Sequence, residues 1–160
     1  MELGHWKLRN VTIEEGNLPF GFIYVITNTV LGRQYIGKKQ MKSTKKLKPL
    51  KGRKNKRHFE VETDWKEYTS SSNEVNEDIK KYGKDKFNFE IVRLCQSKFE
   101  LAYYEAKMQF ENEVLLKEGF YNGIINCRIG RAPAELLQRV VDENKKTFTI
   151  KENEKCNNIS

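Results

Sequence analysis

The sequence predicts a small α/β (α+β) domain in which a mainly antiparallel β-sheet is flanked by helices. Two runs, Phe22–Asn28 and Arg33–Lys38, are rich in β-branched and aromatic residues and are joined by a turn that contains Gly32. A third run, Phe87–Leu94, alternates apolar and polar residues as a half-buried strand does. The longest helical pattern follows at about residues 98–118. Strands followed by a long amphipathic helix favour a sheet with a helix packed against it.

The first two strands are expected to form a hairpin with a defined register. If the turn centres on residues 30–31, Tyr24 lies opposite Gly37 and Tyr35 lies opposite Ile26. Side chains two residues apart share a face of a strand, so both tyrosine rings then emerge on one side of the hairpin as diagonal neighbours.

The expected helices carry recognisable boundary signals. Ser97 and Glu100 form a capping box at the start of the long helix, which we expect to end at Gly119. A shorter helix is expected to stop at Gly83, and a weaker terminal helix follows Pro133.

The organisation along the chain indicates a single domain with short appendages. We assign residues 1–19 to an N-terminal arm, 20–130 to the domain, and 131–160 to a C-terminal helical segment and tail. Within the domain, residues 38–62 are a basic insertion, and residues 39–62 lack usable periodicity, so we interpret them as a long basic loop.

Cysteine usage and hydropathy indicate a cytoplasmic protein in a reducing compartment. Cys95, Cys127 and Cys156 are odd in number and widely spaced, which argues against a disulfide framework and a zinc ribbon. The first residues contain no apolar leader segment, and no run is long enough to span a membrane, so no membrane partner is expected.

Positive charge is concentrated in one segment. The net charge is +8, but residues 38–57 alone hold 11 Lys or Arg and no acid, which leaves the rest of the chain at −3. Such local basicity is typical of a polyanion-binding patch, although a solvated lysine-rich loop has the same composition.

Glu105 is the acid whose position is unusual. It lies in the long helical pattern among Leu101, Met108 and Leu115, which form the apolar stripe, so its side chain is expected to project toward the core side. A carboxylate there needs a partner such as a metal ion, an arginine or a hydroxyl.

With the two tyrosines, the basic segment and Glu105 in place, the chain resembles the GIY-YIG nuclease superfamily over about residues 20–130. Gly21–Tyr24 (GFIY) stands for the first motif with one inserted residue, and Tyr35–Gly37 is a literal YIG. The closest resemblance is to the phage and intron homing-endonuclease branch, whose connecting segments look like DWKEYTSSS, KKYGKDKFNFEIV and FYNGIIN.

The resemblance implies hydrolysis of phosphodiester bonds in double-stranded DNA at one divalent metal ion, Mg²⁺ or Mn²⁺, without a small-molecule cofactor. Glu105 matches the metal-binding acid of the family. Tyr24 and Tyr35 match the motif tyrosines, one of which, with Tyr24 preferred, takes the proton of the attacking water. Lys38 is the expected cationic neighbour that such a phenol needs to act as a base. If the gene is carried by a phage, the compartment is the host cytoplasm.

The resemblance also implies an arginine, a histidine and an asparagine at the site. Arg57 with His58 is the first choice for the arginine and histidine, with Arg53 as the runner-up. Asn126 is preferred to Asn122, because the apolar residues around it are expected to hold it against the core.

The basic segment is expected to contact the DNA backbone. Trp65 and Tyr68 beside it could stack on bases or anchor the loop to the core. A free-standing homing endonuclease is the preferred reading; a restriction or repair nuclease of the same superfamily, and a nucleic-acid-binding module without catalysis, remain open. The expected phosphate contacts are Lys39, Lys42, Lys45, Lys46, Lys48, Lys51, Arg53, Lys54 and Lys56, together with the segment 131–155.

Overall fold

The computed structural model describes residues 1–143. They fall into two compact units, Met1–Arg128 and the part of Ile129–Ser160 that is described. In the second unit residues 134–143 are helical, after Pro133 as predicted, and the predicted tail lies outside the described residues. No helix in the described part of the chain is long and apolar enough to cross a membrane. The elements of the first unit are, in chain order, β1 (Lys7–Leu8), β2 (Gly21–Asn28), β3 (Gln34–Gln40), β4 (Lys42–Leu47), β5 (Arg57–Glu62), α1 (Asn73–Tyr82), a 3₁₀ helix (Lys84–Lys86), β6 (Phe87–Cys95) and α2 (Lys98–Glu111).

A four-stranded sheet in the order β1-β6-β2-β3 organises the first unit. β2 runs antiparallel to both β3 and β6, whereas the short β1 is parallel to β6. This confirms the predicted fold class, a small and mainly antiparallel sheet flanked by helices. The strand β3, which carries the YIG residues, is at the open edge of this sheet.

The predicted hairpin register is also confirmed. Tyr24 lies opposite Gly37, and Ile26 lies opposite Tyr35. The turn is closed by Asn28, whose side-chain Oδ1 accepts hydrogen bonds from the backbone of Val30 and Leu31. An asparagine that bonds its own downstream backbone is a common way to stabilise such a turn.

Each face of the sheet packs against its own hydrophobic cluster. One face carries Tyr24, which packs with Trp6 and Trp65. The opposite face carries Ile23, which packs against Leu101 of α2. The predicted N-terminal arm is thus built into the domain, because Trp6 is only 3% exposed and its indole donates a hydrogen bond to the carbonyl of Trp65 at 2.7 Å.

The segment 39–62 is not a loop, which corrects the sequence interpretation. β3 continues to Gln40, and β4 and β5 then form a separate two-stranded antiparallel ribbon. No hydrophobic period marked these strands because five of the six residues in β5 and four of the six in β4 are exposed, so neither face is selected by burial in the core.

The helix α2 is shorter than predicted, since it ends at Glu111 and not near Gly119. Glu113 adopts a positive φ of 53°. The amide of Val114 bonds the carbonyl of Gln109, and the amide of Glu113 bonds that of Phe110, which is the pattern of a Schellman motif. Val114 is 1% exposed, and its burial stabilises this end of the helix. The helix thus ends without a glycine, which the sequence pattern did not indicate.

Candidate active site

The two motif tyrosines lie side by side on one face of the sheet. Their ring centroids are 6.1 Å apart, as the diagonal arrangement across β2 and β3 predicts. The expectation that both rings emerge on the same side of the hairpin is therefore confirmed.

Gly37 lets these two rings approach the backbone. A Cβ atom on this residue would lie 2.5 Å from the hydroxyl oxygen of Tyr24 and 2.8 Å from Cε1 of Tyr35. The ring of Tyr24 therefore lies across Gly37, which is its cross-strand partner. Any side chain at position 37 would force one or both rings to move.

The two hydroxyl groups have different environments. Tyr24 is 1% exposed, and burial, followed by the nearby phenols of Tyr68 and Tyr35, raises its pKa well above the usual value. The Tyr35 ring lines an open cavity, and its hydroxyl is 3.1 Å from Oγ of Ser71. Burial also raises the pKa of Tyr35, while the hydrogen bond with Ser71 acts in the opposite direction. The geometry therefore favours Tyr35, and not Tyr24 as we expected, as the phenol that reaches a substrate.

Glu105 projects from α2 toward the same cavity. Its side chain is 15% exposed, and its Oε2 is 2.5 Å from the ammonium nitrogen of Lys38. The inward orientation predicted from the helical pattern is confirmed. Lys38 was expected to assist a tyrosine, but its direct partner is this carboxylate, so an ion pair forms at the cavity wall.

Two amide side chains hold the open edge of β3 beside this ion pair. Asn122 is buried, and it bonds Ile36 twice, accepting from the amide at 3.0 Å and donating to the carbonyl at 2.8 Å. Gln109 donates to the same carbonyl at 3.0 Å. These bonds replace the strand that β3 lacks on its outer side, and they fix the backbone between Tyr35 and Gly37.

The preference for Asn126 over Asn122 is not supported by this geometry. Asn126 is exposed, and of its apolar neighbours Ile125 packs against the core whereas Ile124 is 72% exposed, so the side chain of Asn126 itself is not buried. Asn126 lines the cavity, but Asn122 both lines it and is anchored to Ile36. We therefore regard Asn122 as the better candidate for the asparagine of the site.

The cavity has a volume of about 540 Å³ and lies at the open edge of the sheet, where side chains from both of its faces meet. Tyr35 reaches it from one face, and Lys38 with Glu105 from the other. The polar residues that line it are Tyr35, Lys38, Tyr68, Ser71, Ser72, Glu105, Gln109, Tyr121, Asn122 and Asn126.

Several of these residues were not found from the sequence as parts of the site. Gln109 stands one helical turn after Glu105, and this spacing was the available signal. Ser71 belongs to a serine cluster that gives no sign of its distance to Tyr35. Tyr121 is buried, bonds Asp78 at 2.7 Å, and has its pKa raised to about 12, first of all by burial.

Tyr68 and Trp65, considered together in the sequence, have separate roles. Trp65 is fully buried and cannot stack on a base, so it anchors the chain to the core. Tyr68 lines the cavity, and the Lys39 ammonium lies 4.1 Å from the centre of its ring. The Lys39 ammonium also forms an ion pair with Asp64 at 2.7 Å. Lys39, which we expected to contact DNA, therefore has a partner within the protein.

The structure does not bring Arg57, His58 or Arg53 to the cavity of Glu105. Arg57 and His58 are adjacent on the exposed strand β5, so they point to opposite faces and cannot act together on one side. Arg53 and Arg57 instead line a separate cavity of about 350 Å³ at the end of the ribbon. The sequence analysis placed these residues in a long basic loop, whereas the observed strand fixes their side chains away from the cavity of Glu105.

Comparison with known protein families identifies the family of this chain. The family model described as "Putative endonuclease segE, GIY-YIG domain" matches residues 6–125, three quarters of the chain. No curated protein and no solved structure gives a significant match. The matched region contains the hairpin, the ribbon, both helices of the first unit and the whole of the cavity except Asn126. The chain therefore belongs to the segE-type GIY-YIG endonuclease domain family.

Proposed function

We propose that this protein is a metal-dependent endonuclease that hydrolyses phosphodiester bonds in double-stranded DNA in the cytoplasm, as a free-standing homing endonuclease. The family implies a nucleic acid substrate. The observation that supports catalysis is the convergence of Tyr35, Lys38 and Glu105 on one water-accessible cavity. A base, a cation and a carboxylate are the groups that metal-assisted hydrolysis of a phosphodiester requires.

The residues of the cavity fit a single divalent ion, Mg²⁺ or Mn²⁺. Glu105 is the carboxylate that lines it, and in residues 1–143 no group of three or more His, Cys, Asp or Glu side chains is placed to hold a metal. A lone carboxylate in an open cavity suits Mg²⁺, which keeps several of its waters and is commonly held by one or two carboxylates together with substrate phosphate. Such an ion, when bound, supplies Lewis-acid stabilisation of the charge that develops on the phosphate.

Tyr35 is the residue to which we assign proton transfer. As the phenolate, its oxygen accepts a proton from the water that attacks phosphorus, the bond between phosphorus and the leaving oxygen breaks, and Ser71 at 3.1 Å orients the ring. Because burial raises the pKa of Tyr35, the phenolate needs positive charge nearby. Lys38 lines the same cavity and would supply that charge, while Glu105, its partner in the ion pair, would hold the divalent ion.

Tyr24 and Asn122 act on this geometry indirectly. Tyr24 packs beneath Tyr35, and its ring occupies the space above Gly37. Asn122 fixes the backbone of Ile36, the residue between Tyr35 and Gly37. Both keep the Tyr35 hydroxyl on the side of the cavity.

Two alternative functions can be distinguished from this proposal by specific observations. A nucleic-acid-binding domain without catalysis is favoured by the distance of Arg57 and His58 from the cavity, because the arginine and histidine implied by the family resemblance are then not at the site. A restriction or repair nuclease would cut a genome-scale DNA library at many sites, whereas a homing endonuclease would cut it at one or very few.

The decisive experiment is cleavage of supercoiled plasmid with and without Mg²⁺ or Mn²⁺. We expect the wild type to nick or linearise the plasmid only with metal, and Glu105→Ala to lose cleavage while still binding DNA. The matched control is Glu111→Ala on the same helix, an exposed acid that pairs only loosely with Lys107 at 3.7 Å. Equal cleavage by wild type and Glu105→Ala would refute the site, and metal-independent cleavage would refute the cofactor.

A further inference from the structure

The ribbon formed by β4 and β5 projects from the end of the strand that carries the active-site residues. Its base is joined to the domain by Met41, whose amide bonds the carbonyl of Phe20 at 2.9 Å and whose carbonyl accepts from the amide of Thr63 at 2.9 Å. The Thr63 hydroxyl also bonds the carbonyl of Gln40 at 2.6 Å. The ribbon is therefore attached firmly, only a few residues beyond Lys38.

The two faces of the ribbon differ in chemistry. Directly paired residues of an antiparallel ribbon share a face, so the register assigns six side chains to each side. One side, the mixed face, carries two lysines, a histidine and two glutamates, and Lys42 lies 3.8 Å from Glu60 on it. The other side, the apolar-cationic face, has cations and apolar groups but no carboxylate; it consists of Ser43, Lys45, Leu47, Arg57, Phe59 and Val61.

The apolar groups of this second face are open to solvent. Phe59 is 40% exposed and Leu47 is 44% exposed. Lys45 lies directly opposite Phe59, and Arg57 lies opposite Leu47, so each exposed apolar group has a cation beside it. Beyond the strands, the connecting residues add five more cations and no acid: Lys48, Lys51, Arg53, Lys54 and Lys56.

We propose that the apolar-cationic face of this ribbon lies in the major groove of the DNA duplex and contacts bases as well as phosphates. The inference rests on the proposed function, and it adds that Phe59 and Leu47 touch base edges. The major groove of B-DNA admits a two-stranded β-ribbon, and apolar side chains recognise the methyl group of thymine there. Lys45 and Arg57 then reach the phosphates or guanine edges on either side.

The charge pattern selects this occupant over others. The glutamates of the mixed face repel any anionic surface, so a polyanion prefers the apolar-cationic face, and the five further cations between the strands extend the positive charge beyond that face. An apolar protein groove would not need cations beside Phe59 and Leu47. The side that combines cations with exposed apolar groups and excludes carboxylates matches a surface in which thymine methyls lie between two rows of phosphates.

The first test compares two lysines that are neighbours in sequence and differ in face. Lys45→Ala and Lys46→Ala remove the same charge from the same strand, and both positions are exposed. Affinity is measured by fluorescence anisotropy, without metal, for a duplex of mixed sequence and about 20–30 base pairs. The salt concentration is varied between about 50 and 200 mM. The affinity of the wild type falls as salt rises. Loss of one phosphate contact should make that fall about threefold smaller over this salt range in Lys45→Ala, whereas Lys46→Ala should show the same fall as the wild type.

The second test addresses base contact by Phe59. Two duplexes of identical sequence are compared, one with thymine and one with deoxyuridine, which lacks the methyl group. We expect wild type to bind the thymine duplex more tightly, by several-fold, and Phe59→Ala to lose that preference. The control is Phe110→Ala, which removes an exposed phenylalanine, 61% accessible, from α2.

Each outcome decides the inference. Equal effects of Lys45→Ala and Lys46→Ala, or wild-type binding that ignores the thymine methyl, would overturn the groove assignment. If cleavage still depends on Glu105 in that case, the proposed function stands and only the ribbon inference fails. If the wild type binds no duplex, or binds a protein or anionic lipid vesicles in its place through Phe59, both the inference and its basis are overturned.

Discussion

Replacing Gly37 by alanine tests the packing on which the site is built. The added Cβ would lie 2.5 Å from the hydroxyl oxygen and 2.6 Å from Cζ of Tyr24, and 2.8 Å from Cε1 of Tyr35. Carbon atoms in good contact are about 3.5–4.0 Å apart, so the rings must withdraw by roughly 1 Å. The ring of Tyr24 has no free space into which it could move, because Tyr24 is 1% exposed. The centre of its ring is 5.1 Å from that of Trp6 and 6.2 Å from that of Tyr68.

The expected cost is an overpacking penalty at the upper end of the usual range, about 3 kcal/mol in the free energy of unfolding. For a chain of this size, that corresponds to a fall of roughly 6–12 °C in Tm. Urea unfolding followed by tryptophan fluorescence is a direct assay, because Trp6 and Trp65 both belong to the cluster that would be disturbed. Cleavage should fall as well, since Tyr35 must move.

The matched control is Gly119→Ala, where an added Cβ meets nothing within 4 Å. This variant should be neutral or slightly more stable, because alanine restricts the unfolded chain. A Gly37→Ala protein with the unfolding midpoint of the wild type would refute the reasoning, since it would show that the ring of Tyr24 does not lie across that glycine.

Two further predictions concern the edge of the sheet and the proton-transferring phenol. Asn122→Ala should lose about 1–3 kcal/mol of unfolding free energy, because the amide of Ile36 loses its acceptor, whereas Asn126→Ala should change stability little; equal urea midpoints for the two variants would contradict the assigned anchoring. Tyr35→Phe should slow metal-dependent cleavage by about 10²–10⁴-fold, and Tyr24→Phe, whose hydroxyl is buried, by much less. The proposed base is the Tyr35 phenolate, and burial raises the pKa of this residue, so the wild-type rate should climb as the pH rises through the alkaline range, and Tyr35→Phe should abolish that climb. A pH profile unchanged by Tyr35→Phe would count against its role.

The position of the site at a sheet edge has a structural consequence. An exposed edge strand offers unpaired backbone groups, which other chains can pair with. Here Asn122 and Gln109 occupy those groups at Ile36, so the same side chains that order the site also protect the edge.

Local patterns were sufficient for the hairpin and for Glu105. The register of Tyr24 with Gly37 depends only on the turn and on the period of two in a strand, and both are properties of a short stretch of sequence. The inward direction of Glu105 follows from its place on the apolar side of a helix, for the same reason.

Long-range contacts decided the rest. Ser71 and Tyr35 are 36 positions apart, and Asn122 and Ile36 are 86 apart, so no local pattern could place them together. The ribbon was missed because its strands are stabilised mainly by pairing with each other and hardly by burial, which leaves no hydrophobic period to read. The choice of Arg57 and His58 follows from that error, because an irregular loop could turn both side chains toward the site, whereas a strand sends adjacent side chains to opposite faces.

The sequence alone therefore determined the fold class, the pairing of the two tyrosine strands, the inward carboxylate and the concentration of positive charge, because each depends on residues close together in the chain. Only the tertiary structure decided which tyrosine faces the cavity, which cation pairs with Glu105, and which asparagine holds the edge strand. Those choices depend on how separate elements pack, since the full burial of Tyr24 and the partial burial of Tyr35 arise from contacts with segments that lie dozens of residues away.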